Sequence, residues 1–519
     1  MSQMLKSSGA IAIATMTSRV LGLVREIVYA AFLGIGWVAD AFFLAFMIPN
    51  LFRRLLGEGA LTAAFIPFFK EKEKLAGEQE MWRAANAVIS GLVVTAFGIV
   101  VVGVLGISLA LAVGVPNPKT RLMLQLLQVM SPYLLLVCVA AILMGMLNAR
   151  GHFFIPALGA ALLNIVMIAS VLWLAPHMGA TLSHQIFGLA IGVVIAGIVQ
   201  AFFQVPLLNR EGFRYQWISP WSNDTVRYVV KQMIPGIIGV AAFQINVLIT
   251  YGFSFWVEDK ILSSFNYAVR LMELPQGVFG VSLATYLLPT LSSLAAEKKY
   301  PEFRSTLGQG LGYLTFINLL ASVLLLTLAE PMVRLLFEHG RFDNADTARA
   351  ARALCWLAPG LLAFSMVNIV ARAFYAVGDL KTPMKISVFC LALNAILAIA
   401  LVWRYREAGL GAANSLTSVV NISLLLYALR KKLAKLELGG FARHLPGLVG
   451  AGAVAAVVSW FLARAWGDKL GHHGLALKIG EVFVPMLVAS GAYFLICLWL
   501  KVPYTHDLLR LFRRQAGPN

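Results

Sequence analysis

The stretch VISGLVVTAFGIVVVGVLGISLALAV at residues 88–113 contains no charged side chain and decides the fold class. An apolar run of about 20 residues is long enough to cross the hydrocarbon core of a bilayer as a helix. Comparable runs recur along the chain at 154–175, 312–329 and 480–500. They are continuous rather than alternating, which favours helices over a β-barrel. The sequence therefore predicts an all-α integral membrane protein.

Composition supports this prediction over the whole chain. Of 519 residues, 60% are hydrophobic and only 13% are charged, and the mean hydropathy is +0.80. A typical globular chain is close to half apolar. The excess needs lipid, and the bilayer is the first predicted partner.

Basic residues are concentrated in alternate loops between the apolar runs. The formal net charge of +18 could indicate nucleic acid binding. However, one set of loops carries about twice as many lysines and arginines as the opposite set, and it includes Arg430, Lys431, Lys432 and Lys435. This asymmetry follows the positive-inside rule and predicts about fourteen spans with both termini in the cytoplasm. It removes most of the support for a nucleic acid partner.

Two stretches far apart in the chain repeat the same landmarks. FMIPNLFRRLLGEGALTAAFIPFFKEKEK from Phe46 is similar to LMELPQGVFGVSLATYLLPTLSSLAAEKK from Leu271, and MLNARGHFFIPALGAALLN from Met146 is similar to AFYAVGDLKTPMKISVFCLALN from Ala373. Pro49 and Pro275 are 226 residues apart, and Pro156 and Pro383 are 227 apart. Internal duplication is typical of transporters, in which the two halves enclose a cavity.

The repeat sets the predicted domain boundaries. An N-terminal six-helix lobe spans residues 1–209, an amphipathic linker spans 210–223, and a C-terminal six-helix lobe spans 224–431. Residues 432–519 form an additional two-helix segment and a cytoplasmic tail. We therefore expect two pseudo-symmetric lobes around a central cavity, with a helix pair added at the C-terminus.

Charged side chains interrupt three of the predicted spans. An ionisable group at membrane depth is costly unless it faces a cavity or a partner. Those in the first, second and eighth spans are Arg19, Arg25, Asp40, Arg53, Arg54, Glu58, Arg270 and Glu273. Arginine outnumbers acid in this set, and its planar fork suits bidentate contact with phosphate. The sequence therefore predicts a positively charged cavity that binds an anion.

Each of these arginines has a structural alternative. It can reach a lipid head group or close a salt bridge between helices. Arg54 and Glu58 are four residues apart and can pair on one helix face. Arg19 and Arg25 are six apart, about 120° around a straight helix, so they converge only if the helix bends, and Gly22 lies between them.

Enzyme chemistry has little support in this sequence. The eight histidines lie in loops or at span ends without a metal-binding spacing such as HExxH. No phosphate-binding glycine loop and no GxSxG elbow is present. The four cysteines lie in apolar spans and show no zinc-site or disulfide spacing. We expect a transporter rather than an enzyme.

Motifs throughout the chain resemble the MurJ (MviN) lipid II flippase family of the multidrug/oligosaccharidyl-lipid/polysaccharide exporter superfamily. They are SRVLGLVRE at 18–26, DAFFLAFMIPNLFRRLLGEGALTAAFIP at 40–67, RLMELPQGVFGVSLATYLLPTLS at 270–292, LFEHGRF at 336–342 and RAFYAVGDLKTP at 372–383. The resemblance implies a flippase of the bacterial cytoplasmic membrane that carries lipid II, an anionic polyprenyl diphosphate lipid used in peptidoglycan synthesis. It also implies that the final helix pair forms a groove for the polyprenyl tail.

The resemblance also assigns roles to the buried charges. It implies substrate binding by Arg19, Arg25, Arg53 and Arg270, with Asp40 and Glu273 among the associated acids. In two places the chain departs from the pattern. Glu26 stands where aspartate is frequent, and Val269 replaces an acid often found before Arg270, which leaves Glu273 as the local partner.

Energy coupling and some alternatives remain open at this stage. Coupling to the membrane potential or to a monovalent cation is expected, but no clear carboxylate accompanies Asn246, Asn394 and Thr417, so the sequence assigns no metal site. Alternatives are an exporter of another polyprenyl-linked glycan or of a drug, a scaffold that recruits wall-synthesis proteins through its basic loops, and, with least support, a membrane-embedded transferase.

Overall fold

The structure is a computed structural model that describes residues 2–52, 54, 62–221, 223–436 and 439–507. Within these ranges the chain forms eighteen α-helices and no β-strand. In chain order they are α1 (Ser2–Leu33), α2 (Trp37–Phe52), α3 (Thr62–Val113), α4 (Pro118–Met130), α5 (Pro132–Ala149), α6 (Phe154–Ala169), α7 (Leu182–Phe202), α8 (Val205–Arg210), α9 (Asp224–Val257), α10 (Ile261–Pro275), α11 (Ser282–Ala296), α12 (Tyr300–Thr327), α13 (Ala329–Phe337), α14 (Asn344–Leu357), α15 (Gly360–Ala376), α16 (Lys381–Lys432), α17 (Gly439–Lys469) and α18 (Leu475–Trp499).

Many of these helices are long and apolar enough to span a membrane. Nine pass that test among the described residues, and α14 with α15, bent by 47°, makes up to ten. Two of the nine, Phe65–Val113 and Lys381–Lys432, are 49 and 52 residues long. A single crossing needs only about 20 residues, so each is long enough for two. The prediction of an all-α membrane protein is confirmed, and the expected number of about fourteen spans is consistent with these lengths.

Backbone breaks divide both of the very long helices. In α3 the break is at Gly77, where φ is 83°, a conformation that glycine adopts without steric cost. In α16 it is at Arg406, where φ is 52° and a side chain makes that conformation unfavourable. Arg406 Nε lies 2.8 Å from a carboxylate oxygen of Glu258. The turn between the two halves of α16 is thus tied to the chain between α9 and α10.

Arginines of α14 reinforce the turn at Arg406. The neighbouring Glu407 is only 2% exposed, and its carboxylate accepts Arg349 at 3.3 Å and Arg352 at 3.2 Å. Arg349 also lies 2.9 Å from Glu258. A buried carboxylate is costly unless it is paired. This cluster therefore holds together α14, the turn in α16 and the chain that follows α9.

The chain divides into two compact units, residues 1–255 and 256–519. In the first unit, a core that includes Phe65, Trp82 and Met146 joins α3 to α5. In the second, Leu287, Phe303 and Phe374 belong to a core that joins α11, α12 and α15. These units group residues by packing, and nearly all of α9 falls in the first. The predicted lobe boundaries follow the sequence repeat instead and stay a prediction.

The segment between α8 and α9 has two distinct faces. Residues 213–220 contain no regular secondary structure. On the inner face, Phe213 packs against Trp82 with ring centroids 5.5 Å apart, and Asn86 Nδ2 donates to the Arg214 carbonyl at 3.0 Å. On the outer face, Trp217 and Trp221 are exposed. Exposed tryptophans of this kind are typical of a membrane–water interface.

Corresponding turns in the two halves are held by side-chain contacts of different chemistry. The spacing of 227 residues that relates Pro156 to Pro383 also relates Gly151 to Gly378 and His152 to Asp379. Both glycines have positive φ, 87° and 76°. His152 Nε2 lies 2.8 Å from Glu211 after α8, and Asp379 lies 2.7 Å from Lys432 at the end of α16. The two halves share the same glycine turn. The residue after the glycine contacts an acid in the first half and a lysine in the second.

These partners also shift the acidity of the two carboxyl groups. Hydrogen bonds from His152 and then Arg150 hold the pKa of Glu211 below its usual value. Lys432 and then the Thr382 backbone N–H lower the pKa of Asp379. Both carboxyl groups are therefore charged at neutral pH, where Glu211 pairs with Arg150 and Asp379 pairs with Lys432.

The additional C-terminal helices α17 and α18 pack together and onto the second unit. The hydroxyls of Ser459 in α17 and Thr327 in α12 are 2.7 Å apart. Tyr493 Oη in α18 donates to the Phe316 carbonyl at 2.9 Å. Burial of the α18 tyrosine beside α12 makes this helix pair part of the second unit's core.

A buried ion pair fixes α18 at its other end. Arg334 of α13 and Glu481 of α18 are 5% and 4% exposed, and Arg334 Nη1 lies 2.8 Å from Glu481 Oε1. Arg334 also contacts Glu330 and Glu338, and Lys478 lies 3.3 Å from Glu338. The short helix α13 is thus linked by charge to the first turns of α18.

Replacement of Glu481 tests this link. We expect Glu481→Ala to lower the free energy of unfolding by about 3 kcal/mol, because removal of one partner leaves a buried charge. Glu330→Ala, which removes an exposed partner of the same arginine, should cost less than about 1 kcal/mol. Denaturant unfolding of the purified protein in detergent measures both, and equal losses would contradict the assignment.

Candidate functional site

Arg25 in α1 is held by three neighbouring groups of the first unit. Its Nη1 donates to Asn164 Oδ1 of α6 at 3.1 Å, and its Nη2 contacts the carboxylate of Glu26. Its guanidinium carbon lies 5.4 Å from the ring centroid of Tyr29, one turn further along the helix. The Arg25 side chain is 16% exposed, so an oriented guanidinium remains within reach of a ligand.

Asn164 connects α6 to two turns of α1. Besides accepting from Arg25, its Nδ2 donates to the Ser18 carbonyl at 3.1 Å. A Cβ at Gly22 would lie 3.6 Å from the same Nδ2, an ordinary contact distance. Sequence reasoning missed Asn164, which reads as one polar residue in an apolar run and carries no motif of its own.

Arg19 differs from Arg25 in its surroundings. Helix α1 is continuous from Ser2 to Leu33, and Arg19 on it is exposed. Among the residues that the structure describes, Arg19 forms no hydrogen bond with Arg25 and no ion pair with an acid. The two predicted ligands therefore lie on one helix in different electrostatic environments.

Asp40 forms a buried ion pair with a lysine of α4. Its side chain is fully buried in the first turn of α2, and one oxygen lies 3.2 Å from Lys119 Nζ. Lys119 Nζ also donates to the Phe255 carbonyl at 2.7 Å and lies 4.3 Å from that ring's centroid. Lys119 is thus a salt-bridge partner of Asp40 that the sequence analysis did not predict.

The position of Lys119 follows from local helix chemistry. Asn117 caps α4 by accepting the backbone N–H of Lys119 at 2.9 Å, and Pro118 occupies the first helical position, where it has no N–H to satisfy. The start of the helix is therefore fixed at these residues. The next side chain, Lys119, is directed into the protein rather than into solvent, since it is 7% exposed.

Arg270 and Glu273 lie together on α10 in the second unit. Arg270 Nη1 is 2.9 Å from Glu273 Oε2, and the two side chains are 35% and 48% exposed. The three-residue spacing puts both on one helix face. The sequence named Glu273 as the local partner of Arg270, and the structure places it there. An exposed pair of this kind is weak, so an incoming anion can compete for the guanidinium.

The structure does not describe two of the predicted site residues. Arg53 and Glu58 lie outside the described residues. The proposed pairing of Arg54 with Glu58 therefore stays a prediction. So does the role of Arg53 in binding.

Metal coordination was left open by the sequence. Across the described ranges, no group of three or more histidine, cysteine, aspartate or glutamate residues is placed to hold a metal ion. Asn246, Asn394 and Thr417 are buried or nearly so. Coupling to a monovalent cation stays a prediction, because neutral oxygens can also bind such an ion.

The arrangement is suited to binding an anion. Arg19, Arg25 and Arg270 each present a guanidinium that is at least partly accessible. Arginine keeps its charge in proteins, and its fork matches a phosphate with two parallel hydrogen bonds. Glu26 and Glu273 orient two of these groups without burying them.

Comparisons with known proteins agree on one family. The family model described as lipid II flippase MurJ matches residues 29–479. A probable lipid II flippase MurJ from Buchnera aphidicola subsp. Acyrthosiphon pisum is 34% identical over 447 residues, covering 84% of this chain and 86% of the relative. A lipid II flippase MurJ from Burkholderia cenocepacia is 30% identical over 512 residues, covering 97% of each.

A solved structure shares the fold. The inward closed conformation of a lipid II flippase MurJ superposes with a TM-score of 0.78 at 23% identity, covering 96% of this chain and 99% of the other. At that identity the similarity concerns the fold alone.

A double mutant tests whether Asp40 serves the buried pair with Lys119. We expect Asp40→Asn and Lys119→Met each to lower the thermal unfolding temperature of the purified protein, because each leaves the other charge without this partner. The double variant should lose no more than the worse single variant, since residues in contact are not additive. Additive losses would show that the two side chains act separately.

Proposed function

The chain belongs to the lipid II flippase MurJ family, and we propose from that membership that it translocates lipid II from the inner to the outer leaflet of the cytoplasmic membrane by alternating access. It is a transporter and not an enzyme. It is a multi-pass protein of the bacterial inner membrane and acts in peptidoglycan biosynthesis.

The observation that carries this proposal is the set of accessible arginines on α1 and α10. Lipid II presents a diphosphate at the junction between its polyprenyl tail and its sugar–peptide head group. Arg19, Arg25 and Arg270 offer guanidinium groups that are not buried, and two of them are oriented by adjacent glutamates. Bidentate contacts from such groups stabilise a diphosphate in a site of low dielectric constant.

The polyprenyl tail needs a different surface from the head group. Helices α17 and α18 expose Val457, Phe461, Leu487 and Leu495. These apolar side chains support a tail-binding role for the additional helix pair. A polyprenyl tail can replace lipid tails against them at little cost in free energy, because both are hydrocarbon. The ion pair between Arg334 and Glu481 attaches α18 to α13 within the second unit.

Alternating access requires a bistable arrangement and an energy source. We propose that the two lobes rock about the bound head group, while the tail stays in the bilayer. Coupling to the membrane potential or to a monovalent cation gradient would make the cycle directional. Moving one charge across 100 mV is equivalent to roughly 2.3 kcal/mol.

The orientation in the membrane follows from the basic loops. We propose that both termini lie in the cytoplasm, because the loops on that side carry about twice as many basic residues. A cysteine introduced at Lys299 should be protected from an impermeant thiol reagent in whole cells, and one at Lys469 should be labelled. Background labelling of the four native cysteines is subtracted with the parent chain, and the reverse pattern would refute this topology.

Removal of the arginines tests the proposed function. We expect Arg19→Ala, Arg25→Ala and Arg270→Ala each to abolish lipid II translocation in reconstituted vesicles and rescue of a flippase-depleted bacterium, at normal protein levels. Arg404→Ala removes an exposed arginine from α16 and serves as the matched control, which should retain activity. Vesicles with an imposed potential, sodium or proton gradient identify the coupling.

Two results would contradict the proposal. Full translocation by all three variants would remove the arginines from the mechanism. Failure of the unaltered chain to move lipid II, while it moves another polyprenyl-linked glycan, would change the substrate. A scaffold that only recruits wall-synthesis proteins would leave translocation intact in cells that lack it.

A further inference from the structure

Arg372 lies near the end of the apolar helix α15 and is absent from the predicted binding set. Its Nη1 donates to Thr285 Oγ1 of α11 at 2.7 Å and reaches the Val281 carbonyl at 3.5 Å. Both acceptors are neutral. Among the described residues, no carboxylate is within ion-pair distance of Arg372. This distinguishes it from Arg25 and Arg270, each of which contacts a glutamate.

The neutral acceptors fix the orientation of the Arg372 guanidinium. The Thr285 hydroxyl donates its own hydrogen to the Val281 carbonyl at 2.8 Å, so its oxygen faces Arg372 as an acceptor. Arginine has five N–H donors, and the contacts to α11 and the preceding segment use only one nitrogen. The other N–H groups of the guanidinium therefore remain available to an anion.

The neighbouring backbone has an irregular helical geometry. Residues Gln276–Val281 form a π-helical segment between α10 and α11, and π-helical turns are frequent at functional sites. At Gly280 a Cβ would lie only 2.8 Å from Ser365 Oγ of α15. The missing side chain therefore lets α15 approach this segment closely, which brings Arg372 within reach of Thr285.

The exposed face of α11 is unusually polar for a membrane-spanning helix. Spacings of three or four residues put Ser282, Thr285, Tyr286, Thr290 and Ser293 on one face, and all five are exposed. A lipid-facing surface would be expected to be apolar, because exposed hydroxyl groups are costly in hydrocarbon. This hydroxyl face favours a polar passage beside Arg372.

Arg372 and Arg270 are too far apart to hold one phosphate group together. Thr285 follows Arg270 by 15 residues, or roughly 20 Å of helix. Arg270 on α10 and Arg372, which contacts α11 from α15, therefore lie at different levels along the span formed by α10 and α11. Residues beyond Ser293 lead to the basic loop that contains Lys298 and Lys299.

We infer that Arg372, oriented by Thr285, is a second anion-binding residue that holds the diphosphate of the lipid at a level nearer to the Lys298–Lys299 loop than Arg270. This inference rests on the proposed flippase function. It adds an earlier position on the path of the head group, at which the ligand meets a guanidinium that no carboxylate neutralises. The same chemistry would accept the phosphate of an ordinary phospholipid, so the ligand source must be tested.

Binding to the full chain in lipid nanodiscs tests the inference, with undecaprenyl diphosphate as the probe. Arg372→Gln should weaken binding about tenfold, the effect of losing one charge-assisted hydrogen bond. Arg372→Lys should weaken it less, because the charge remains without the fork. Lys385→Gln removes a nearby exposed charge from α16 and should leave binding unchanged.

Thr285→Val keeps the charge of Arg372 and removes its oriented acceptor. It should weaken binding by a smaller factor than Arg372→Gln. If Arg372→Gln does not fold, as judged by thermal unfolding, this variant decides the outcome. Binding by Thr285→Val equal to that of the unaltered chain would then overturn the inference.

Further comparisons in the same experiment separate failure of this inference from failure of the proposed function. Equal binding by Arg372→Gln and Lys385→Gln, with weakened binding by Arg270→Gln, would overturn this inference and leave the proposed function intact. No binding of the diphosphate by the unaltered chain would instead remove the proposed function. A loss of phosphatidylglycerol binding as large as the loss of diphosphate binding would assign Arg372 to general phospholipid contact and overturn its place on the path.

Discussion

An arginine in a membrane-spanning helix stays charged, and the rest of this molecule depends on how that charge is satisfied. Deprotonation is not available to a guanidinium, so each one must find a carboxylate, a neutral acceptor, water or an anion. Arg25 and Arg270 each use one glutamate, and Arg372 uses neutral oxygens. The proposed binding of a diphosphate would add an anion to these partners.

Ion pairs outside the proposed binding surface have a different purpose. Arg334 with Glu481 and Asp40 with Lys119 are buried on both sides, so no space remains at them for a large ligand. They fix one helix to another within a unit. Arg25 and Arg270 are partly exposed instead, and each pairs with an acid on its own helix.

The duplication shows that helix-end contacts are conserved in position more than in chemistry. Gly151 and Gly378 make the same positive-φ turn, while His152 and Asp379 after them bind partners of opposite charge. In each half the residue after the glycine thus contacts a side chain at or just beyond the end of a later helix.

The sequence by itself determined the membrane class, the helices and the duplication, because hydropathy and motif spacing are local along the chain. It also named Glu273 as the partner of Arg270, since a spacing of three residues is visible without a structure. Only the tertiary structure decided that Asp40 binds Lys119, that Asn164 holds Arg25 from 139 residues away and that Arg334 reaches Glu481 across 147. Those contacts depend on which helices pack together and on which face each presents, and neither is written in the local pattern of one span.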